Sequence, residues 1–269
     1  MLTRNEFRTK GIKLFKEAAT TIPNEIKKRI KSAYQSESKE IAKMQLKNIL
    51  DNIELAENLE RPLCQDTGIP IFFIETGKKI NFKAMEKGLI DAIVEATETV
   101  PLRPNVVHPL TRRNTGNTGD HVPIFHYDFI DENVLRITLL MKGAGSENMS
   151  RMQMMNPSDN MKDITSFIVE TVRRAGGNPC PPTIVGVGIG GSADYAPLLA
   201  KKALLKEENS KIEEEILKKI NGLGIGPMGL GGKTTSLKVS IKTASCHTAS
   251  LPVAVNLQCW AHRVASVVL

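Results

Sequence analysis

Aromatic residues are scarce in this chain, 4% of the total with one tryptophan. That scarcity argues against a stacking platform for single-stranded nucleic acid, which needs a row of exposed rings. Cysteine is scarce as well. The four cysteines (64, 180, 246 and 259) include no C-x-x-C pair, so a zinc ribbon lacks its spacing. A chain of 269 residues can bury a real core and needs no disulfide scaffold. No apolar run approaches the length of a membrane span, and the N-terminal Met1-Leu-Thr-Arg-Asn-Glu-Phe-Arg has no apolar signal region. These absences point to a cytoplasmic protein with reduced thiols, bound neither to membrane nor to nucleic acid. The net charge of +7 is spread along helical stretches such as Lys27-Lys28-Arg29. It reads as a solvated face that also favours anionic small molecules.

Periodicity predicts a mixed α and β chain, of α+β class. Residues from about Asn5 to Glu60 read as three helices. Pro23 opens the second, and Ile49, Leu50 and Ile53 stripe the third before Pro62 stops it. The apolar run Ile69 to Ile74 reads as a buried strand, and Met85, Leu89, Ile90, Ile93 and Val94 as a helix capped by Asn81. Pro101 to His121 has three prolines, two Asn-Thr-Gly repeats and no period, which predicts a functional or mobile loop. Ile124 to Ile130 and Val134 to Met141 are expected to pair as a hairpin across Asp131-Glu-Asn133. A helix through Ile164 to Val172, a strand at Thr183 to Val187, helices near 194–206 and 210–220 and a strand at Leu237 to Thr243 follow. The apolar tail Val253 to Leu269 suits core, self-association or a partner equally. The expected organisation is one domain, 1–269, with helices of about 1–60 packed on an α/β core of about 61–269.

Two glycine-rich segments imitate nucleotide sites. Gly186-Val-Gly-Ile-Gly-Gly191 has the G-x-G-x-x-G spacing, but the stretch that should carry a second strand ending in an acid is charged and helical, Lys206 to Glu215. Gly229-Leu-Gly-Gly-Lys-Thr-Thr235 has Pro227 where a phosphate loop requires its first glycine, although its N–H groups can still hold a carboxylate. Three cysteines stand in turns: Cys64 before Gln-Asp-Thr-Gly, Cys180 among prolines, and Cys259 in Leu-Gln-Cys-Trp. Three dispersed thiolates suit an iron–sulfur cluster with one iron left open, though free cysteines are commonly buried hydrophobes.

Pro62-Leu-Cys-Gln-Asp-Thr-Gly68, Lys142-Gly-Ala-Gly-Ser-Glu-Asn148, Asn178-Pro-Cys-Pro-Pro182, Gly188-Ile-Gly-Gly-Ser-Ala-Asp194 and Leu251-Pro-Val-Ala-Val-Asn256 together resemble class I fumarase. More closely, the chain resembles the alpha subunits of the two-subunit fumarate hydratase and tartrate dehydratase group. The resemblance runs from Leu63 to the last residue. Single-chain relatives carry a second domain to which nothing here corresponds.

The resemblance implies a hydro-lyase working on a small dicarboxylate, fumarate as the commoner activity or tartrate as the alternative. It implies that Cys64, Cys180 and Cys259 hold a [4Fe–4S] cluster with one open iron, leaving Cys246 as a spare thiol. It also implies a pocket lined by Gln65, Asp66, Arg103, Gly145 and His247, with Asp66 and His247 catalytic and Gln65, Arg103 and Gly145 binding substrate. Arg112 and Arg113 stand as alternatives to Arg103 for gripping a carboxylate. Some catalytic groups are expected on a smaller beta subunit, in an assembly of two copies of each. A non-catalytic iron–sulfur subunit and a nucleotide-binding protein are the rival readings.

Overall fold

The computed structural model describes residues 2–207 and 210–269. The chain divides into two compact units: unit 1 is Met1–Pro23, Asp51–Gly143 and Arg263–Leu269, and unit 2 is Asn24–Leu50 and Ala144–His262. The architecture is α+β. The three expected N-terminal helices form as α1 (Arg4–Thr20), α2 (Asn24–Ser36) and α3 (Glu40–Leu59). Thr3 and Glu6 close a capping box at the start of α1. No helix among the described residues is long and apolar enough to cross a membrane.

Unit 1 is built on β1 (Ile69–Thr76), whose apolar side chains are buried on both faces. Such a strand needs a partner on each edge as well, because none of its backbone can reach water. Its partners are β4 (Ile124–Phe129), parallel, and β5 (Leu135–Lys142), antiparallel; β10 (Val264–Val268) adds to β5. The sheet order is therefore β10-β5-β1-β4. This overturns the hairpin expected between β4 and β5. Their loop is short enough for one, but β1 inserts between them and takes an edge of each. Helices α1 and α4 (Phe82–Thr99) cover one face, with Phe7, Phe15, Leu89 and Ile93 packed on Phe72, Ile74 and Leu139. Asn81 caps α4 as expected, accepting from the Ala84 N–H at 3.0 Å. The irregular stretch after α4 contains a two-stranded ribbon, β2 (Val106–Val107) with β3 (Asn114–Gly116).

Unit 2 holds a second sheet, β6 (Arg151–Met155), β9 (Leu251–Gln258), β7 (Thr183–Gly191) and β8 (Ser236–Cys246), in that order. β7 is parallel to β8, and β9 is antiparallel to both β7 and β6. Helices α6 (Met161–Ala175) and α8 (Lys211–Asn221) contribute Ile164, Ile168, Val172, Ile216 and Ile220 to a core with Val187, Val239 and Val255. Helix α2 is tied to β8 by the buried Lys238, whose Nζ donates to Glu25 Oε2 at 3.0 Å. The apolar tail thus resolves into one interior strand of this sheet, β9, and one edge strand of the other, β10.

Both nucleotide-like segments serve packing. Gly186 and Gly188 lie inside β7, not in a strand-to-helix turn, and let α7 (Tyr195–Ala203) settle on the sheet. A Cβ on Gly188 would stand 2.0 Å from the Ala196 carbonyl oxygen. Gly188→Ala is therefore expected to lower stability by about 3 kcal/mol, the upper range for overpacking against backbone. Chemical denaturation checks it, and an unchanged midpoint would show that α7 yields freely. The second segment holds a carboxylate supplied by the chain itself. Lys233 N–H donates to Glu37 Oε2 at 2.7 Å, joined at Oε1 by Ser38 and Lys39 N–H. Burial works to raise the Glu37 carboxyl, but these backbone donors outweigh it and hold the group below its ordinary range.

Candidate active site

In unit 1 the turn between α3 and β1 carries Cys64, Gln65 and Asp66. Leu63 anchors it: it is buried, its N–H donates to Ala19 O at 2.9 Å, and its carbonyl accepts from Asn52 Nδ2 at 2.9 Å. Cys64 beside it is half-buried and Gln65 is exposed. Asp66 Oδ1 accepts from the Gly68 N–H at 3.1 Å and from Asn105 Nδ2 at 3.4 Å, so the carboxylate closes its own turn. Gly68 has φ +85 and lies so close to the Lys142 backbone that a Cβ would come within 2.8 Å of it. Only glycine meets both demands.

The same turn fixes Arg103. Thr67, 1% exposed, accepts from the Arg103 N–H at 3.1 Å and from Asn105 Nδ2 at 3.3 Å through its hydroxyl. The Asn-Thr-Gly repeats complete the arrangement. Asn117 Oδ1 accepts from the Asn105 N–H at 3.0 Å, and Asn114 Nδ2 donates to Pro104 O at 2.9 Å. Arg103 is thereby held by its backbone against Thr67 and is exposed, while Arg112 and Arg113 sit in the exposed turn joining β2 to β3. The irregular stretch is a clamp for one arginine. In the sequence the repeats mark only an irregular loop, and the hydrogen bonds of Thr67, Asn105 and Asn117 are visible only in the structure.

Unit 2 brings Gly145, Cys180 and Cys259 together. Gly145 lies in the short helix α5 (Ala144–Glu147), where a Cβ would press to 3.0 Å on Asn178 O. Cys180 takes φ +53, an uncommon conformation for a residue with a side chain. Its N–H donates to Gly177 O at 3.1 Å, and its carbonyl accepts from the Trp260 N–H at 3.4 Å. That last bond fastens the two cysteine turns to each other. Side chains missed in the sequence support them: Glu147 pairs with Lys201 and accepts from Asn256 Nδ2 at 3.0 Å, and Ser146 Oγ donates to Gln258 Oε1 at 3.4 Å.

His247 is placed elsewhere in unit 2, exposed in the turn between β8 and β9. Its Nδ1 accepts from the Ala249 N–H at 3.1 Å, so the neutral ring carries its proton on Nε2, facing outward. β9 separates it from Cys259, eight residues at a strand rise that amounts to about 23 Å. Cys246 is exposed at the end of β8.

None of the four cysteines is in a disulfide, and Cys64, Cys180 and Cys259 are half-buried. As a donor set, three reduced, partly shielded thiols suit an iron–sulfur cluster in kind. Among the described residues no three His, Cys, Asp or Glu side chains are gathered closely enough to hold a metal ion.

Comparison with known proteins agrees with the motif pattern. The family model "Fumarate hydratase (Fumerase)" matches residues 9–268. The chain is 51% identical over 268 residues to the "Putative L(+)-tartrate dehydratase subunit alpha" of Methanocaldococcus jannaschii, covering 94% of this chain and 93% of that protein. It is 34% identical over 256 residues to the L(+)-tartrate dehydratase subunit alpha of Escherichia coli strain K12, covering 91% of this chain and 84% of the relative. With its Cys-Gln-Asp-Thr-Gly turn clamped to Arg103 and its two later cysteine turns fastened together, the chain belongs to the fumarate hydratase (Fumerase) family of hydro-lyases.

Proposed function

We propose that the chain is the alpha subunit of a cytoplasmic two-subunit hydro-lyase that removes water from L(+)-tartrate. The observation that carries this reading is the 51% identity, across nearly the full length of both chains, with a protein named as an L(+)-tartrate dehydratase subunit alpha. Fumarate hydration is the second reading, favoured by the name of the matching family model. Cys64, Cys180 and Cys259 would hold a [4Fe–4S] cluster. Such a cluster would supply Lewis acidity to the loss of hydroxide.

The chain's own residues bind the substrate and handle the proton. The exposed guanidinium of Arg103 grips a carboxylate with two parallel hydrogen bonds. Gln65 offers an amide donor, and Gly145 lets substrate approach the backbone at the start of α5. Asp66, its Oδ1 already fixed by two donors, is the group here able to take or hold a proton at the neighbouring carbon. His247 lies at the far end of β9, so we place its contribution in the site of a second copy of the chain, in keeping with two copies of each subunit. The missing clamp for the second carboxylate is assigned to a beta subunit.

The test is a direct competition. Co-expressed with the smaller subunit and reconstituted anaerobically, the enzyme is expected to show kcat/KM for tartrate at least about 100-fold above that for fumarate. A site built to bind a hydroxyl rejects an analogue lacking it by that much or more. The reverse ratio would transfer the assignment to fumarate, and turnover of neither by cluster-loaded enzyme would remove both.

A further inference from the structure

One end of the unit 1 sheet holds a charged group that the reaction described above does not use. β5 runs antiparallel to both β1 and β10. The turn entering β1, the residue leaving β5 and the residue entering β10 therefore lie side by side, and they carry Asp66, Gly143 and Arg263. Arg263 is 1% exposed, among the largest fully buried side chains, and its carbonyl accepts from the Met141 N–H at 3.0 Å. Its Nη2 and Asp66 Oδ2 stand 2.7 and 3.0 Å from the point that a Cβ on Gly143 would occupy. Glycine keeps that space open, and cation and carboxylate border it together.

The guanidinium Nε and Nη1 are buried without a hydrogen-bond partner. Unmet donors on a buried cation cost the fold stability, and a well-packed apolar side chain of like volume would avoid that cost. Stability does not account for an arginine here; the carboxylate across the gap does. Asp66 is already fixed at Oδ1 from the side of Gly68 and Asn105, and its Oδ2 borders the same gap at Gly143 as Arg263 Nη2.

We propose that Arg263 is a positioning residue of the hydro-lyase reaction, acting through Asp66: it holds that carboxylate in its working orientation, and Gly143 keeps the space the contact needs. The inference rests on Asp66 acting on substrate. It is tested with wild type, Arg263→Gln, Asp66→Asn, the double variant and Arg263→Lys, each assembled with the smaller subunit and loaded with cluster. Arg263→Gln is expected to lower kcat about 100-fold, the effect of misplacing a reacting group by an ångström or so, with KM little changed. Arg263→Lys should recover part of that loss, since it restores the charge but not the planar fork. In the Asp66→Asn background Arg263→Gln should cost nothing further. Equal losses in both backgrounds, or a raised KM with kcat kept, would overturn the proposal. If Arg263→Gln does not fold, Gly143→Ala takes its place, because it sets a methyl between the two groups and predicts the same kcat loss. Unfolding midpoints of the uncomplexed chains need neither substrate nor partner. They should show coupling between the two substitutions, and strictly additive shifts would refute the pairing. Turnover of neither acid by the wild type would sink the assigned reaction and leave this second reading to decide the pairing.

Discussion

Serine at Cys64, Cys180 or Cys259 is expected to remove most of the iron and the brown absorbance of the anaerobically prepared protein, while Cys246→Ser keeps both. The three thiols are half-buried and lie in turns fixed by backbone hydrogen bonds, whereas Cys246 is exposed at a strand end. A serine hydroxyl is a harder and far weaker acidic donor than a thiol, so it is a poor substitute in a site selected for soft ligands. The substitution is close to isosteric, so the unfolding midpoint of the apo protein should hardly move. Loss of iron with an unchanged midpoint identifies ligands. Loss of both would mean the turn had collapsed, and retention of cluster in Cys259→Ser with its loss in Cys246→Ser would overturn the assignment.

The chain on its own, fully loaded with cluster, is expected to turn over dicarboxylate at least about 1000-fold more slowly than the assembled pair of subunits. All three proposed ligands are in this chain, so the cluster should form without a partner. The deficit lies in positive charge. Arg103 is the exposed arginine fastened to the Asp66 turn, and Arg263 is buried, with its Nη2 bordering the same gap at Gly143 as Asp66 Oδ2. A dianion excluded from water needs a second clamp. Titrating the smaller subunit into the loaded chain should restore activity with saturation at a fixed ratio. Full turnover by the single chain would place the whole site within these residues and remove the need for a beta subunit.

Local chemistry made much of the molecule legible in advance. Helix α4 could be read because Asn81 caps it and Met85, Leu89 and Ile93 fall on one buried face, and β1 because a doubly buried strand is a continuous apolar run. What could not be read were choices between distant partners. Nothing within Ile124 to Met141 reveals that β1 separates β4 from β5, since the insertion is decided by the unmet edges of another segment. The tail from Val253 onward is mostly apolar, so periodicity gave no hint that it splits between two sheets. The site divides in the same way. Cys64 and Cys180 stand out because cysteine is unusual in such turns. Arg263 reads as a stray basic residue, and its meaning comes from a glycine 120 positions earlier. His247 precedes Cys259 by twelve residues in the chain, and an intervening strand sets them at its two ends.

The interleaved make-up of unit 1 also sets an order of birth. Its sheet uses β1, β4 and β5 from residues 69–142 and β10 from residues 264–268, with 144–262 belonging to unit 2. On a ribosome, every segment of unit 2 has been synthesised before the edge strand of unit 1 exists. Until then β5 presents a bare, apolar edge with its N–H and C=O groups unpaired, the kind of edge that invites wrong partners. Arg263 arrives with that last strand, so the charge proposed to position Asp66 is made after Asp66, Gly143 and both later cysteines.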